Sequence, residues 1–318
     1  MYKRWLRSKG IGGLLKEPED FIVKEIVDKS FFRKFTRTDN GVKPIDGKYT
    51  FFLLKKKNMT TKNAIKKISD FYSVNEDNFG YAGLKDKFAV TWQYMTTKAD
   101  VSNAKIGDID VEVIGKTDKR LSIGNLIGNE FTITLHGCRT ENLEKILEEL
   151  KQRGMPNYFG SQRFGRNENN HMIGRCIVKK NFGKALKMIN KNSKAEYRNI
   201  RYVPKDLLRF FIHAYQSWIF NEILSQSIRK KKALKEIEII GYNKKVIGNE
   251  IVKKEKISPK DFRVDAIHIS CSGTKRIAFI KPGVRYDVNG KDVKLCFTLP
   301  KGSYATVLLA ELGAMADR

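Results

Sequence analysis

Phe-Gly-Tyr-Ala-Gly-Leu-Lys-Asp-Lys-Phe-Ala-Val-Thr-Trp-Gln, residues 79 to 93, decides how the rest of the chain is read. Phe79 to Ala82 reads as a short apolar strand and Gly83 as the start of a turn. Ala89 to Met95 alternates apolar and polar residues like a second strand. Asp86 then stands on the turn between two strands, with Lys85 and Lys87 on either side. An aspartate so placed commonly bonds its own backbone or faces solvent, and local sequence alone leaves that reading open.

Working outward, the chain has 318 residues, enough for at least one sizeable core, and its length favours two domains. Lysine and arginine number 62 against 35 acidic residues, a net charge of +27. Such an excess repels itself unless a polyanion offsets it, which points to nucleic acid. The basic residues are spread along the chain rather than gathered on one amphipathic helix, which speaks against a membrane surface. No apolar run reaches the roughly 18 residues a membrane span needs, and Met1 to Lys9 leads into no signal-peptide core, so a cytoplasmic location is expected. The four cysteines and four histidines are scattered, without metal-site spacing, and no phosphate-cradling glycine loop occurs. Neither a metal nor a cofactor is expected.

Phe21 to Ile26 and Lys48 to Leu54 read as strands, and Asp28 to Asp46 between them as a polar loop. Lys55-Lys56-Lys57 reads as a solvated charge run ending the second strand. Thr60 or Thr61 caps a helix with Ala64, Ile65, Ile68, Phe71 and Tyr72 on one face. Strands around Val111 to Ile114 and Phe131 to Leu135 precede a helix capped by Thr140. Several strands with two helices argue an α+β core rather than alternating βαβ units. Texture changes at Gly154-Met155-Pro156, and helices follow at Phe182 to Ile189 and Asp206 to Ile228. Lys235 to Asp261 is lysine-rich and without clear period. Alternation returns at Ala266 to Ser270, Arg276 to Ile280 and Val293 to Leu299. Pro300 is expected to stop that strand, and Ser303 to cap a terminal helix.

The spaced pattern Gly83-x-Lys85-Asp86-x-x-Ala89-x-Thr91-x-Gln93 resembles the signature of the TruD family of RNA pseudouridine synthases. Further segments match in family order: Pro18-Glu19-Asp20-Phe21, Gly128-Asn129-x-Phe131, Pro156-Asn157-Tyr158-Phe159-Gly160-x-Gln162-Arg163-Phe164-Gly165, Tyr215-Gln216-Ser217 and Phe297-x-Leu299-Pro300-x-Gly302-Ser303-Tyr304-Ala305-Thr306. The resemblance implies a catalytic domain with a mixed, largely antiparallel sheet, made of residues 1–155 and 288–318. It also implies an inserted helix-rich α+β domain at 156–287. It implies isomerisation of a uridine to pseudouridine in RNA, with uridine 13 of transfer RNA the expected target and Asp86 the catalytic residue. Lys16 is implied as the basic residue paired with Asp86, and Lys85 is its local rival. Phe131 is implied as the aromatic stacked on the target base and Asn129 as an active-site amide. By residue type alone Phe131, opening an alternating strand, reads as core and Asn129, after Gly128, as a turn residue; the resemblance reverses both readings.

The chemistry asks for a carboxylate beside the ribose, as nucleophile at C1′ or base at C2′, and a pocket holding the detached uracil while it turns. Asp86 fits; which role it takes is open. Thr91 and Gln93 share one face of the following strand and can support the turn or merely pair across the sheet. Gln162 and Arg163, set among aromatics, suit an RNA-facing ledge or a packed junction. The rival reading is a non-catalytic RNA-binding or chaperone protein on the same fold. A metal-dependent nuclease lacks the clustered carboxylates that would hold two ions.

Overall fold

The computed structural model describes residues 3–28, 36–38, 41–43, 47–193, 195–232, 234–244, 246 and 249–314. The chain divides into two compact units. The first comprises Leu6–Gln152, Pro282–Ala305 and the residues from Leu309 on; the second comprises Arg153–Lys281 with Thr306–Leu308 and the residues up to Trp5.

The first unit is built on a sheet of ten strands among the described residues. Its main path runs Val284–Asn289, Asp292–Pro300, Leu126–Cys138, Phe21–Val27, Val90–Thr97, Tyr49–Lys57, Ile109–Thr117 and Ala104–Ile106. Gly12–Leu14 pairs with Leu126–Cys138, and Gly80–Tyr81 with Val90–Thr97. Phe21–Val27 and Val90–Thr97 run parallel, and every other pairing on the path is antiparallel. The period-two pattern explains the burial: Phe21, Val23, Glu25 and Val27 turn inward, and Lys24 outward. Over one face lies the helix Thr61–Tyr72, whose Thr60 hydroxyl accepts the Asn63 N–H at 3.1 Å. Ala64, Ile65 and Ile68 pack on Phe52, Leu54, Met95, Ile109 and Val111. Phe71, expected on that inner face, is instead 55% exposed.

Two elements differ from the sequence reading. Within the segment read as a loop, Thr36–Thr38 and Gly41–Lys43 pair as a short hairpin, while 29–35, 39–40 and 44–46 lie outside the described residues. Val284–Asn289 forms an edge strand that was not expected, because nearly all of it faces solvent and carries no inward apolar set. Pro300 does end its strand as expected, paired with Gly128 as the last residue, at the position where a missing N–H costs least.

The second unit is helical at heart, with Asn170–Val178, Phe182–Asn192 and Lys205–Arg229 around a core including Ile173, Ile177, Phe211, Tyr215, Phe220 and Phe262. Gly174 allows the first and third of these to touch: a Cβ there would lie 2.0 Å from the Phe211 carbonyl oxygen. The lysine-rich stretch holds the strand Glu236–Ile239 and the helix Glu250–Glu255. Both are too short to print a period on the sequence.

Candidate active site

Residues opposite one another on neighbouring strands share a face, and on the helix-covered face this register sets a polar line through apolar core. Lys56 lies opposite Thr91, Thr91 opposite Val23, Val23 opposite Phe131, and Phe131 opposite Phe297. One step along, Leu54 faces Gln93, and Glu25 faces Asn129. Lys56, Thr91 and Gln93 are completely buried and Glu25 nearly so. A single run of strands thus carries an ammonium, a carboxylate and three neutral polar groups under the turn that bears Asp86.

Asp86 is half-exposed on that turn, between Gly80–Tyr81 and Val90–Thr97. Its neighbour Lys85 is directed into the protein. Lys85 Nζ lies 2.8 Å from Glu25 Oε1 and donates to Asn129 Oδ1 at 2.6 Å, while its backbone N–H donates to Thr61 Oγ1 at 2.9 Å. The Thr61 hydroxyl in turn donates to Gln93 Oε1 at 3.0 Å. Gln93 therefore braces the Asp86 turn through Thr61, and Asn129 reaches it through Lys85. Burial pushes the Glu25 carboxyl above its ordinary value, against the Lys85 ammonium and the Tyr94 N–H that favour its charge. Among the described residues Thr91 Oγ1 and Gln93 Nε2, both buried, meet no hydrogen-bond partner, an uncommon condition in a native interior.

Among the described residues, Lys56 is a cation that touches the Asp86 peptide. Its Nζ donates to the Asp86 carbonyl oxygen at 2.8 Å and to the Met59 carbonyl oxygen at 2.6 Å. The charge run Lys55-Lys56-Lys57 was read as solvated, and for its middle residue this is wrong. The strand extends through Lys57, so the alternation that sends Phe52 and Leu54 inward sends Lys56 inward too. Burial lowers the Lys56 ammonium to about 8, with Asp86 opposing the shift and Lys85 adding to it. Glu25 also escaped the sequence reading. The signal in both cases was a charged residue at an inward position of an alternating strand.

Phe131 is 5% exposed, edge-on to Phe21 at 5.9 Å and nearly parallel to Phe297 at 5.3 Å. Lys16 is exposed on the segment before the turn Pro18–Asp20, and its backbone N–H donates to Asp20 Oδ2 at 2.7 Å. Among the described residues neither a hydrogen bond nor an ion pair joins Lys16 to Asp86. Asp20 also meets His136 Nε2 at 3.0 Å, and the other nitrogen of that ring, Nδ1, lies 3.0 Å from Asp292. Gln162 and Arg163 belong to the second unit. There Arg163 donates from Nε to Ser217 Oγ at 3.1 Å and lies over the Phe159 and Phe210 rings. Among the described residues no group of three or more His, Cys, Asp or Glu is placed to hold a metal ion, and no helix is long and apolar enough to cross a membrane.

The family profile described as tRNA pseudouridine synthase D (TruD) matches residues 1–201, 185–239 and 236–312. A Pyrococcus furiosus protein named probable tRNA pseudouridine synthase D is 30% identical over 404 positions, covering 96% of each chain. A Thermococcus sibiricus protein of the same name is 29% identical over 416 positions, again covering 96% of each. A crystal structure of a putative tRNA pseudouridine synthase D from Methanosarcina mazei superposes with a TM-score of 0.71 at 25% identity, covering 98% of this chain and 96% of that one. These matches set the chain among the pseudouridine synthases, isomerases that rebuild uridine within RNA. Within that class the chain belongs to the TruD family. The expected family and the α+β fold with a large, mainly antiparallel sheet both hold.

Proposed function

We propose that this enzyme converts a uridine of transfer RNA, the one at position 13, to pseudouridine with Asp86 as the reacting carboxylate. The observation that carries the reading is the contrast at one turn. Asp86 stays half-exposed while its peptide oxygen and the side chain of Lys85 are held by buried partners. A reactive group set on a rigid, polar underside is what positioning catalysis requires. The reaction breaks the bond from uracil N1 to ribose C1′ and joins C5 to C1′. The C5 proton departs as N1 takes one up. Asp86 acts either on C1′ as nucleophile or on the C2′ proton as base.

The uridine must leave its stack, at a cost of a few kcal/mol. Asn129, steered by Lys85, offers a hydrogen-bonding amide at the uracil edge; Phe131, the expected stacking aromatic, is 5% exposed between Phe21 and Phe297 and must uncover a face to meet the base. Lys16 supplies an exposed ammonium for the Asp86 carboxylate or a flanking phosphate, and Gln162 and Arg163 contact the RNA backbone. Residues 1–155 and 288–318 were expected to form the catalytic domain and 156–287 the insertion; because the strand Val284–Asn289 pairs within the first sheet, the returning catalytic segment is instead drawn from Pro282. The enzyme works with no cofactor, in the cytoplasm. The charge of +27 suits a polyanionic substrate.

Tritium release from transfer RNA transcripts labelled at uracil C5 tests this. Wild type releases tritium and Asp86→Asn releases none while binding RNA with nearly unchanged affinity. Release by Asp86→Asn at the wild-type rate rejects the assignment of Asp86. Tight binding without release by wild type rejects the substrate and favours a non-catalytic RNA-binding protein.

A further inference from the structure

Lysine is an expensive residue to place where Lys56 stands. Its strand neighbours on the same face are Phe52 and Leu54, it is 0% exposed, and a leucine or methionine would complete the apolar row without burying charge. Asp86 and Lys85, both on the facing turn, are the charged groups acting on it. Thr91 and Ile109, opposite it on the neighbouring strands, carry no charge, and the adjoining helix presents its uncharged N-terminal residues Thr60 and Thr61. The ammonium is spent on two peptide carbonyls, at Met59 and Asp86.

Those two carbonyls belong to different segments. The strand-to-helix junction around residues 56–61 and the turn around 85–89 are stitched at three points. Thr61 Oγ1 accepts the Lys85 N–H at 2.9 Å, the Asp86 oxygen accepts from Lys56 at 2.8 Å, and the Ala89 oxygen accepts the Asn58 N–H at 3.1 Å. Only the middle stitch involves an ionised donor, and it lies at Asp86 itself.

We infer that Lys56 is a positioning residue for the isomerisation: its ammonium clamps the Asp86 peptide to the helix junction and so fixes where the carboxylate meets the ribose. The inference rests on the reading of Asp86 as the reacting group. Charge-assisted bonds are about twice as strong as neutral ones, so loss of the Lys56 proton loosens the clamp while leaving its atoms in place. With the ammonium lowered to about 8, that loosening falls within the working range of an enzyme. A displacement of about 1 Å at a reacting group can cost about 100-fold in rate.

The test is single-turnover pseudouridine formation with saturating enzyme from pH 6.5 to 9.5, which isolates the chemical step from product release. The RNA dissociation constant is measured in parallel. The expected wild-type rate falls on an alkaline limb with its midpoint near pH 8, with RNA affinity within about twofold throughout. Lys56→Met lowers the rate about 100-fold at pH 7 and abolishes the limb, again without loss of affinity. Lys56→Arg, which stays charged, regains at least part of the rate and shows no limb in this range. Melting curves that match wild type exclude a folding defect as the cause.

A flat wild-type profile overturns the inference, as does a Lys56→Met rate within about threefold of wild type. An alkaline limb that persists in Lys56→Arg belongs to another group, the uracil imide among them, and also overturns it. Asp86→Asn is run alongside. If that variant is active, the reading beneath the inference has failed; if it is inactive and Lys56→Met is normal, only the clamp has failed.

Discussion

Removing the Lys85 ammonium should expose how much the buried pair beneath the active-site turn contributes to the fold. Lys85 and Glu25 meet at 2.8 Å with side chains 5% and 0% exposed, so solvent screening offers little relief. At that distance and an effective dielectric of about 20 the attraction is roughly 6 kcal/mol before desolvation is counted. Most of it offsets lost hydration, and taking away one partner costs about 3–5 kcal/mol because the other charge is left stranded. The pH dependence follows from Glu25, whose carboxyl burial already holds above its ordinary value of 4.5. A folded value above the unfolded one means that the Glu25 contribution is complete below about 4.5 and is lost as pH rises through the folded value. Without Lys85 the folded value climbs further, so Lys85→Met should be destabilised most at pH 7 to 8 and least near pH 5. Urea unfolding followed at Trp92 reports this unit alone once Trp5 and Trp218 are replaced by phenylalanine, since both belong to the other unit. The double variant Glu25→Leu with Lys85→Met should recover at least half of the loss. A penalty below about 1 kcal/mol, or one equal at pH 5 and pH 8, would refute the reasoning.

Two further outcomes can be read in the same assays. His136 sits between Asp20 and Asp292. The bond to Asp20, against some desolvation and with help from Asp292, raises its pKa, so its contribution is complete below the ordinary value of 6.5 and fades as pH rises through the raised one. His136→Gln should therefore cost about 1 kcal/mol at pH 6 and clearly less at pH 9. Gly174→Ala should lower the unfolding midpoint by an amount equivalent to about 3 kcal/mol when followed at Trp218 in a background with Trp5 and Trp92 replaced by phenylalanine, since its new methyl would lie 2.0 Å from the Phe211 oxygen, while the midpoint in the Trp92-only background is unchanged.

The elements legible in the sequence were those whose burial imprints a period. Phe21–Val27, the Thr60-capped helix and Lys205–Arg229 appear close to where apolar spacing put them. Val284–Asn289 was illegible because an edge strand facing solvent has no inward set to reveal it. At the site, Asp86 stood out only through a spaced pattern. Lys56 and Glu25 were hidden by the habit of counting charge as surface, although alternation through Leu54 and Val23 already pointed both inward. Lys85 illustrates another limit. Adjacency to Asp86 suggested a partner for it, yet consecutive residues in an extended turn diverge, and the ammonium went to Glu25 and Asn129.

Met155–Pro156 and Phe279–Ile280, at the two ends of the helical unit, are hydrogen-bonded to each other as a minimal ladder. The long segment Arg153–Lys281 therefore begins and ends side by side, like the two conductors of one cable. Whatever is added or trimmed between them, the spacing at the junction is set by a strand pair rather than by the length of what it encloses. A joint of this kind lets a protein change size at one place without reopening the question of how the remainder folds.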